Sequence, residues 1–182
     1  MAGGLSEPWT LRAHPATRAP PPLALEARVE VEGSELTCRY ALSGALEQLR
    51  LPRPATGRTD ELWRHTCCEL FLAGEGEAYY EFNFAPGGAW AAYDFTAYRA
   101  GRSEAPVTPR VRTQRAPAGL VLEAQLDLAA LTALAREPLL RIGVSAVLES
   151  ESGELSYWAL AHAKARPDFH DPGTFVLERR RA

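Results

Sequence analysis

The sequence predicts an all-β protein: a single-domain antiparallel β-sandwich, immunoglobulin- or jelly-roll-like, of about ten short strands with one short helix. Three observations predict it. Apolar and polar residues alternate through most of the chain, the pattern of strands with one dry and one wet face. Clusters of Gly, Pro and Ser break that alternation at short intervals. Only one stretch has helical spacing, far fewer than parallel α/β units require. A length of 182 residues suits one domain over positions 1–182, and 46% apolar with 24% charged residues is a globular balance.

The elements follow in order. A first edge strand is expected near Trp9 to Arg12, and the proline-rich run His14 to Pro22 reads as an irregular connector. From Leu25 to Glu32, the residues Leu25, Ala27, Val29 and Val31 share one face, and Glu26, Arg28, Glu30 and Glu32 share the other. Gly33-Ser34 then turns the chain into a strand with Leu36, Cys38, Tyr40 and Leu42 inward. Leu46 to Leu51 suggests a short strand before a loop at Pro52 to Gly57. Leu62 to Leu72, Tyr79 to Phe84 and Trp90 to Tyr98 are the next strands, separated at Gly74 to Gly76 and at Pro86-Gly87-Gly88. Val107 to Gln114 and Leu120 to Leu126 form a hairpin. Asp127 to Ala135 is the helical candidate, with Asp127 as cap and Leu128, Leu131 and Leu134 at helical spacing. Leu140 to Glu149, Leu155 to Leu160 and a last strand near Phe175 to Leu177 complete the chain.

Composition narrows the function. A formal net charge of −3 gives no basic field for nucleic acid, and the terminal Arg179, Arg180 and Arg181 read as a solvated end. No apolar run of about 18 residues spans a membrane. Met1 to Thr10 lacks the basic start and apolar stretch of a secretory signal. Three cysteines, two of them the neighbours Cys67 and Cys68, suggest free thiols in a reducing compartment, so a cytoplasmic location is expected. No metal-ligand spacing, phosphate loop or nucleophile elbow appears, so no cofactor, metal site or catalytic residue is assigned.

The candidate ligand-binding residues come from strand alternation. If Leu62 to Leu72 is one strand, Trp63, His65, Cys67, Glu69 and Phe71 lie on one face, opposite an apolar set. An indole beside an imidazole and a carboxylate suits a sugar or another flat polar ligand. The alternative is that Trp63 packs under a loop while His65 pairs with Glu69. In the next strand Tyr80, Phe82 and Phe84 point to the core, leaving Tyr79, Glu81 and Asn83 on the other side, where Glu81 and Asn83 could join Glu69. Two carboxylates also admit a glycosidase. The run Ser156 to Asp171 adds Trp158, His162 and Lys164 as ligand contacts, or else Phe169 and His170 pin that loop to the body; whether His162 and His170 contact ligand or only hold the loop stays open.

The runs LWRHTCCELFL, YYEFNFAPGGAWAAYDFTAYR and SYWALAHAKARPDFHD, within about Leu25 to Val176, resemble the bacterial DOMON-like domains, relatives of the family 9 carbohydrate-binding modules. The resemblance implies a β-sandwich with a concave ligand face whose ligand is a sugar or a haem. It implies that Trp63 is one stacking tryptophan, Glu69 the acidic group of the same motif, and Trp158 a candidate second tryptophan. The haem-binding relatives use a Met and His pair, and Met1 is the only methionine here; a bis-His site from His65 and His162 stays formally open. The reading is therefore a non-catalytic module for a small polar ligand such as a carbohydrate. Its alternatives are a glycoside-processing enzyme using Glu69 and Glu81, a haem-binding domain, and a protein-interaction domain. Oligomeric state is left open.

Overall fold

A computed structural model describes residues 7–134 and 137–180. Its strands are β1 (Trp9–Ala13), β2 (Leu23–Glu32), β3 (Glu35–Gly44), β4 (Gly57–Arg58), β5 (Cys67–Ala73), β6 (Tyr79–Phe84), β7 (Ala89–Phe95), β8 (Ser103–Glu104), β9 (Arg110–Ala116), β10 (Gly119–Asp127), β11 (Leu139–Glu149), β12 (Leu155–Ala159) and β13 (Leu177–Arg180). The protein is all-β, as its alternation dictates. The helical candidate supplies only a 3-10 turn at Leu128–Ala130, with Asp127 accepting from the Ala129 N–H at 3.0 Å. The end of that stretch, Ala135, lies outside the described residues, as do Met1 and Arg181. Among the described residues no helix is long and apolar enough to cross a membrane.

Hydrogen bonds run through one continuous path, β4-β7-β6-β5-β11-β12-β1-β2-β3-β10-β9, with β13 beside β11 and β8 beside β7. The result is a single curled sheet, a half-barrel, where the sequence suggested two separate sheets. It is mixed, because β4 pairs with β7 in parallel while every other named pair is antiparallel. The strand that joins the two arms is β1. Trp9 to Leu11 pair with Ala27 to Leu25 of β2, and Arg12 and Ala13 pair with Ala159 and Trp158 of β12. An edge position was expected for it; instead it lies between two partners.

The main core fills the inside of the curl. It gathers Leu25, Val29, Cys38 and Leu42 from one arm with Leu70, Phe82, Phe84, Val144 and Leu148 from the other. In β2, β3 and β10 the opposite face is wetter, as alternation requires. In β5 and β6 every residue is buried. Their outer face carries a second cluster: Phe71, Tyr79, Tyr93, Phe95 and Val147 pack with Phe169 and Phe175. The segment between β12 and β13 therefore lies over this part of the sheet. Gly143 in β11 makes room for it, since a Cβ there would stand 2.6 Å from Cδ1 of Phe175.

Candidate functional site

The covering segment leaves a cavity of about 450 Å³ between itself, the outer sheet face and the turn before β5. That volume is in the usual range for small-molecule sites. Glu69 of β5, Glu81 of β6, Val147 of β11 and Tyr157 of β12 line it from the sheet. Tyr93 and Phe95 of β7 continue the lining, Asp168, Phe169 and His170 contribute from the covering segment, and Trp63, Arg99 and Arg102 complete it.

Strand register explains this grouping. Glu69 sits opposite Asn83 on β6 and Ser145 on β11; Glu81 sits opposite Phe71 and Tyr93. Opposed residues in an antiparallel pair point to the same face. Glu69 and Glu81, one diagonal step apart, thus emerge together, and both are about 95% or more buried. Burial and the nearby Glu81 push the Glu69 carboxyl well above its ordinary range, against the opposing influence of Ser145 and Arg99. Burial also raises Glu81, while a hydrogen bond from Asn83 and the charges of Arg99 and Arg102 work the other way.

The covering segment is held by a polar knot. Asp168 accepts from Arg99 Nη2 at 2.8 Å, from Lys164 Nζ at 2.8 Å and from the Tyr98 hydroxyl. Although burial opposes ionisation, these three donors hold the Asp168 carboxyl below the usual carboxylate range. His170 is 2.8 Å through Nδ1 from the Tyr79 hydroxyl, and its Nε2 lies 3.6 Å from Glu81 Oε2. Burial, then the Arg99 charge, lower its pKa to about 4, so the imidazole is neutral near pH 7 and its approach to Glu81 is no ion pair.

Of the candidate ligand-binding residues, Trp63, Glu69 and Glu81 line the cavity, as do the loop residues Phe169 and His170. Trp63 does so from a different element than expected. The chain forms a 3-10 turn at Leu62–Arg64, entered through Glu61 at φ 60°, and β5 begins only at Cys67. The indole is 40% exposed, with the Arg64 guanidinium 5.2 Å from its ring centre. The same turn sends His65 away: its Nδ1 meets Glu149 Oε2 at 2.7 Å. Asn83 is fully buried behind Glu81, with Nδ2 donating to Oε1 at 2.8 Å. Lys164 supports Asp168 from outside the cavity.

Trp158 stands in the main core at 6% exposure, its indole N–H donating to Ser156 Oγ at 2.9 Å. The expected second stacking tryptophan is thus on the inner face, and its neighbour Tyr157, one residue out of phase, faces the cavity. His162 hydrogen-bonds through Nε2 to the Arg12 carbonyl at 2.9 Å and contacts the His14 ring edge-on, so it too is elsewhere. His65 and His162 lie on different elements and neither lines the cavity.

Sequence reasoning passed over Arg99, Arg102, Tyr93, Phe95 and Tyr157 as site residues. Alternation along β7 and β12 could have found the three aromatic ones. No local signal marks Arg99, whose backbone is left-handed at φ 52° in the loop after β7.

No family model matches the sequence, and no curated protein matches it. The fold is similar to that of solved structures. A Bacteroides uniformis protein proposed to bind carbohydrate has a TM-score of 0.68 at 18% identity, over 94% of this chain and 84% of its own. A family 9 carbohydrate-binding module from Caldicellulosiruptor kristjanssonii, solved with cellotriose, has a TM-score of 0.51 at 11% identity, over 85% and 72% of the two chains. The same kind of module solved with glucose has a TM-score of 0.51 at 11% identity, over 93% and 83%.

Proposed function

We propose that the protein is a carbohydrate-binding module without catalytic activity of its own, and that the cavity between the sheet and its covering segment is the sugar site. The observation that carries this reading is the composition of the cavity: an exposed indole, phenol rings and two buried carboxyls converge on one space sized for a small ligand. Aromatic faces take the apolar C–H face of a sugar ring, and carboxyl and guanidinium groups take its hydroxyls. The fold's likeness to modules solved with glucose and cellotriose supports the same ligand class.

In this reading Trp63 is the stacking residue at the mouth and Tyr157 or Tyr93 opposes it. Glu69 and Glu81 bind hydroxyls directly, Asn83 and Lys164 act from behind, and His65, Trp158 and His162 have structural roles. Calorimetric titration with glucose and cellotriose tests it. Trp63→Ala is expected to weaken binding by about tenfold or more, on the scale of one lost stacking contact of ~1–2 kcal/mol. Unchanged affinity in that variant, with an intact fold, would remove Trp63 from the site. Release of a reducing sugar from cellotriose would revive the glycosidase alternative.

A further inference from the structure

We propose that Glu69 acts as a neutral carboxylic-acid donor and Glu81 as an ionised carboxylate acceptor within one ligand contact, and that Asn83 assigns these unequal roles. The inference deepens the carbohydrate reading of the cavity and rests on it for the identity of the ligand.

The assignment begins with Asn83, which is fully buried and held on both sides. Its Nδ2 donates to Glu81 Oε1 at 2.8 Å, and the Cys67 thiol, which also faces the Cys68 carbonyl at 3.4 Å, lies 3.6 Å from its Oδ1. That thiol keeps its proton, because burial pushes it well above the ordinary range. A donor on the Oδ1 side turns the NH₂ group toward Glu81. An N–H aimed at a carboxyl oxygen favours the ionised form. Arg99 and Arg102 line the same cavity and add positive charge near Glu81. The neighbouring His170 is neutral near pH 7 and adds none.

Glu69 lacks such a hydrogen bond, and the Arg99 charge that favours its ionised form favours that of Glu81 as well. It is 3% exposed and lines the cavity, yet no amide or guanidinium donates to it among the described residues. The Ser145 hydroxyl stands opposite it on β11, buried and without a hydrogen-bond partner among the described residues. Arg99 apart, the groups around Glu69 do not favour a charge: Cys67 and Cys68 precede it in sequence, Tyr40 donates to its backbone carbonyl at 2.6 Å, and Glu81 is its acidic neighbour. Two adjacent buried carboxyls cannot both ionise cheaply, so one proton stays between them. Asn83 decides that it stays on Glu69.

The chemical consequence concerns the ligand. An O–H donor next to an O⁻ acceptor fits two adjacent hydroxyls of a sugar. One hydroxyl donates to Glu81 and its neighbour accepts from Glu69. Two carboxylates would accept from both hydroxyls but offer neither hydroxyl oxygen a donor. The contact in which a hydroxyl oxygen accepts from Glu69 is lost as alkaline pH removes that proton, and binding weakens with it.

Carbon-13 NMR of glutamate-labelled protein, titrated from pH 5 to 9 without ligand, tests the assignment directly. One protonated carboxyl is expected at pH 7 in the parent, and it is lost in Glu69→Gln. In Asn83→Ala the titration of Glu81 moves up by about 1 pH unit or more. Absence of any protonated carboxyl at pH 7, or its persistence in Glu69→Gln, overturns the proposal. With glucose as the probe, affinity in the parent falls about tenfold per pH unit once Glu69 deprotonates. Glu69→Gln, whose amide still donates, loses this dependence; a pH slope that survives in it overturns the proposal as well. If glucose and cellotriose bind at no pH, the carbohydrate reading fails, and the carboxyl titration alone still decides the assignment of the proton.

Discussion

His170 shows how one side chain links the site to the stability of the fold. Its folded pKa, about 4, lies below the ordinary 6.5 because burial disfavours the imidazolium. Between those values the unfolded chain holds more proton than the folded one, so stability falls as pH drops from about 6.5 to about 4. The loss is on the order of 3 kcal/mol. Glu69 and Glu81 act with the opposite sign: their raised carboxyls stabilise the fold at low pH, and that contribution is lost as pH rises through their folded values. Asp168, held below the usual range, contributes stability that is lost only as pH falls below about 3.8. Urea midpoints measured from pH 4 to 6.5 check the balance. His170→Gln is expected to flatten the acid-side decline, and an unchanged slope would show that the imidazole is not the group responsible. At this scale the sequence was legible wherever alternation ran unbroken. Glu69 and Glu81 fall on the cavity side because β5 and β6 are regular strands. Trp158 and Tyr157 are adjacent, so a choice made by residue type selected the ring on the inner face. The Glu149 partner of His65 comes from a strand 84 positions away, which no local pattern reveals.

At the scale of elements, the covering segment does most to create the site. Without Phe169 and Phe175 on the outer face of β5 and β6, that face would be an open surface instead of a cavity wall. Its fit depends on Gly143, where a Cβ would also stand 3.3 Å from Cβ of Phe71. Gly143→Ala is expected to displace Phe175 and cost about 1–3 kcal/mol. Faster amide hydrogen exchange over positions 168–175, with a lower melting temperature, would report it; exchange and melting equal to the parent would mean that this packing does not hold the segment. The sequence carried half of this arrangement. Phe169 and His170 stood out as anchors of a loop, but the face they cover could not be read from spacing. Wholly buried β5 and β6 still alternate in chemistry, with carboxyls and amides on the covered side, and so resemble strands with one wet face. The 3-10 turn at Leu62–Arg64 was equally hidden, because its residues continue the alternation of β5 without a glycine or proline to mark the break.

The whole molecule is one curled sheet whose two arms meet at β1. An all-β fold was evident from periodicity; the continuity of the path was not, since it depends on a five-residue strand that changes partner halfway along. This geometry gives the two faces of the curl different work. The inner face holds the main core, and the outer face of one arm, with its covering segment, forms the candidate site. The four tryptophans, Trp9, Trp63, Trp90 and Trp158, report on these surfaces separately. Indole N–H signals in a proton–nitrogen NMR spectrum, followed during addition of glucose or cellotriose, test the proposed sugar site most directly. Movement of the Trp63 signal with sugar concentration while the Trp158 signal stays in place is the predicted result. A response confined to any other indole, or none at saturating sugar, would contradict it.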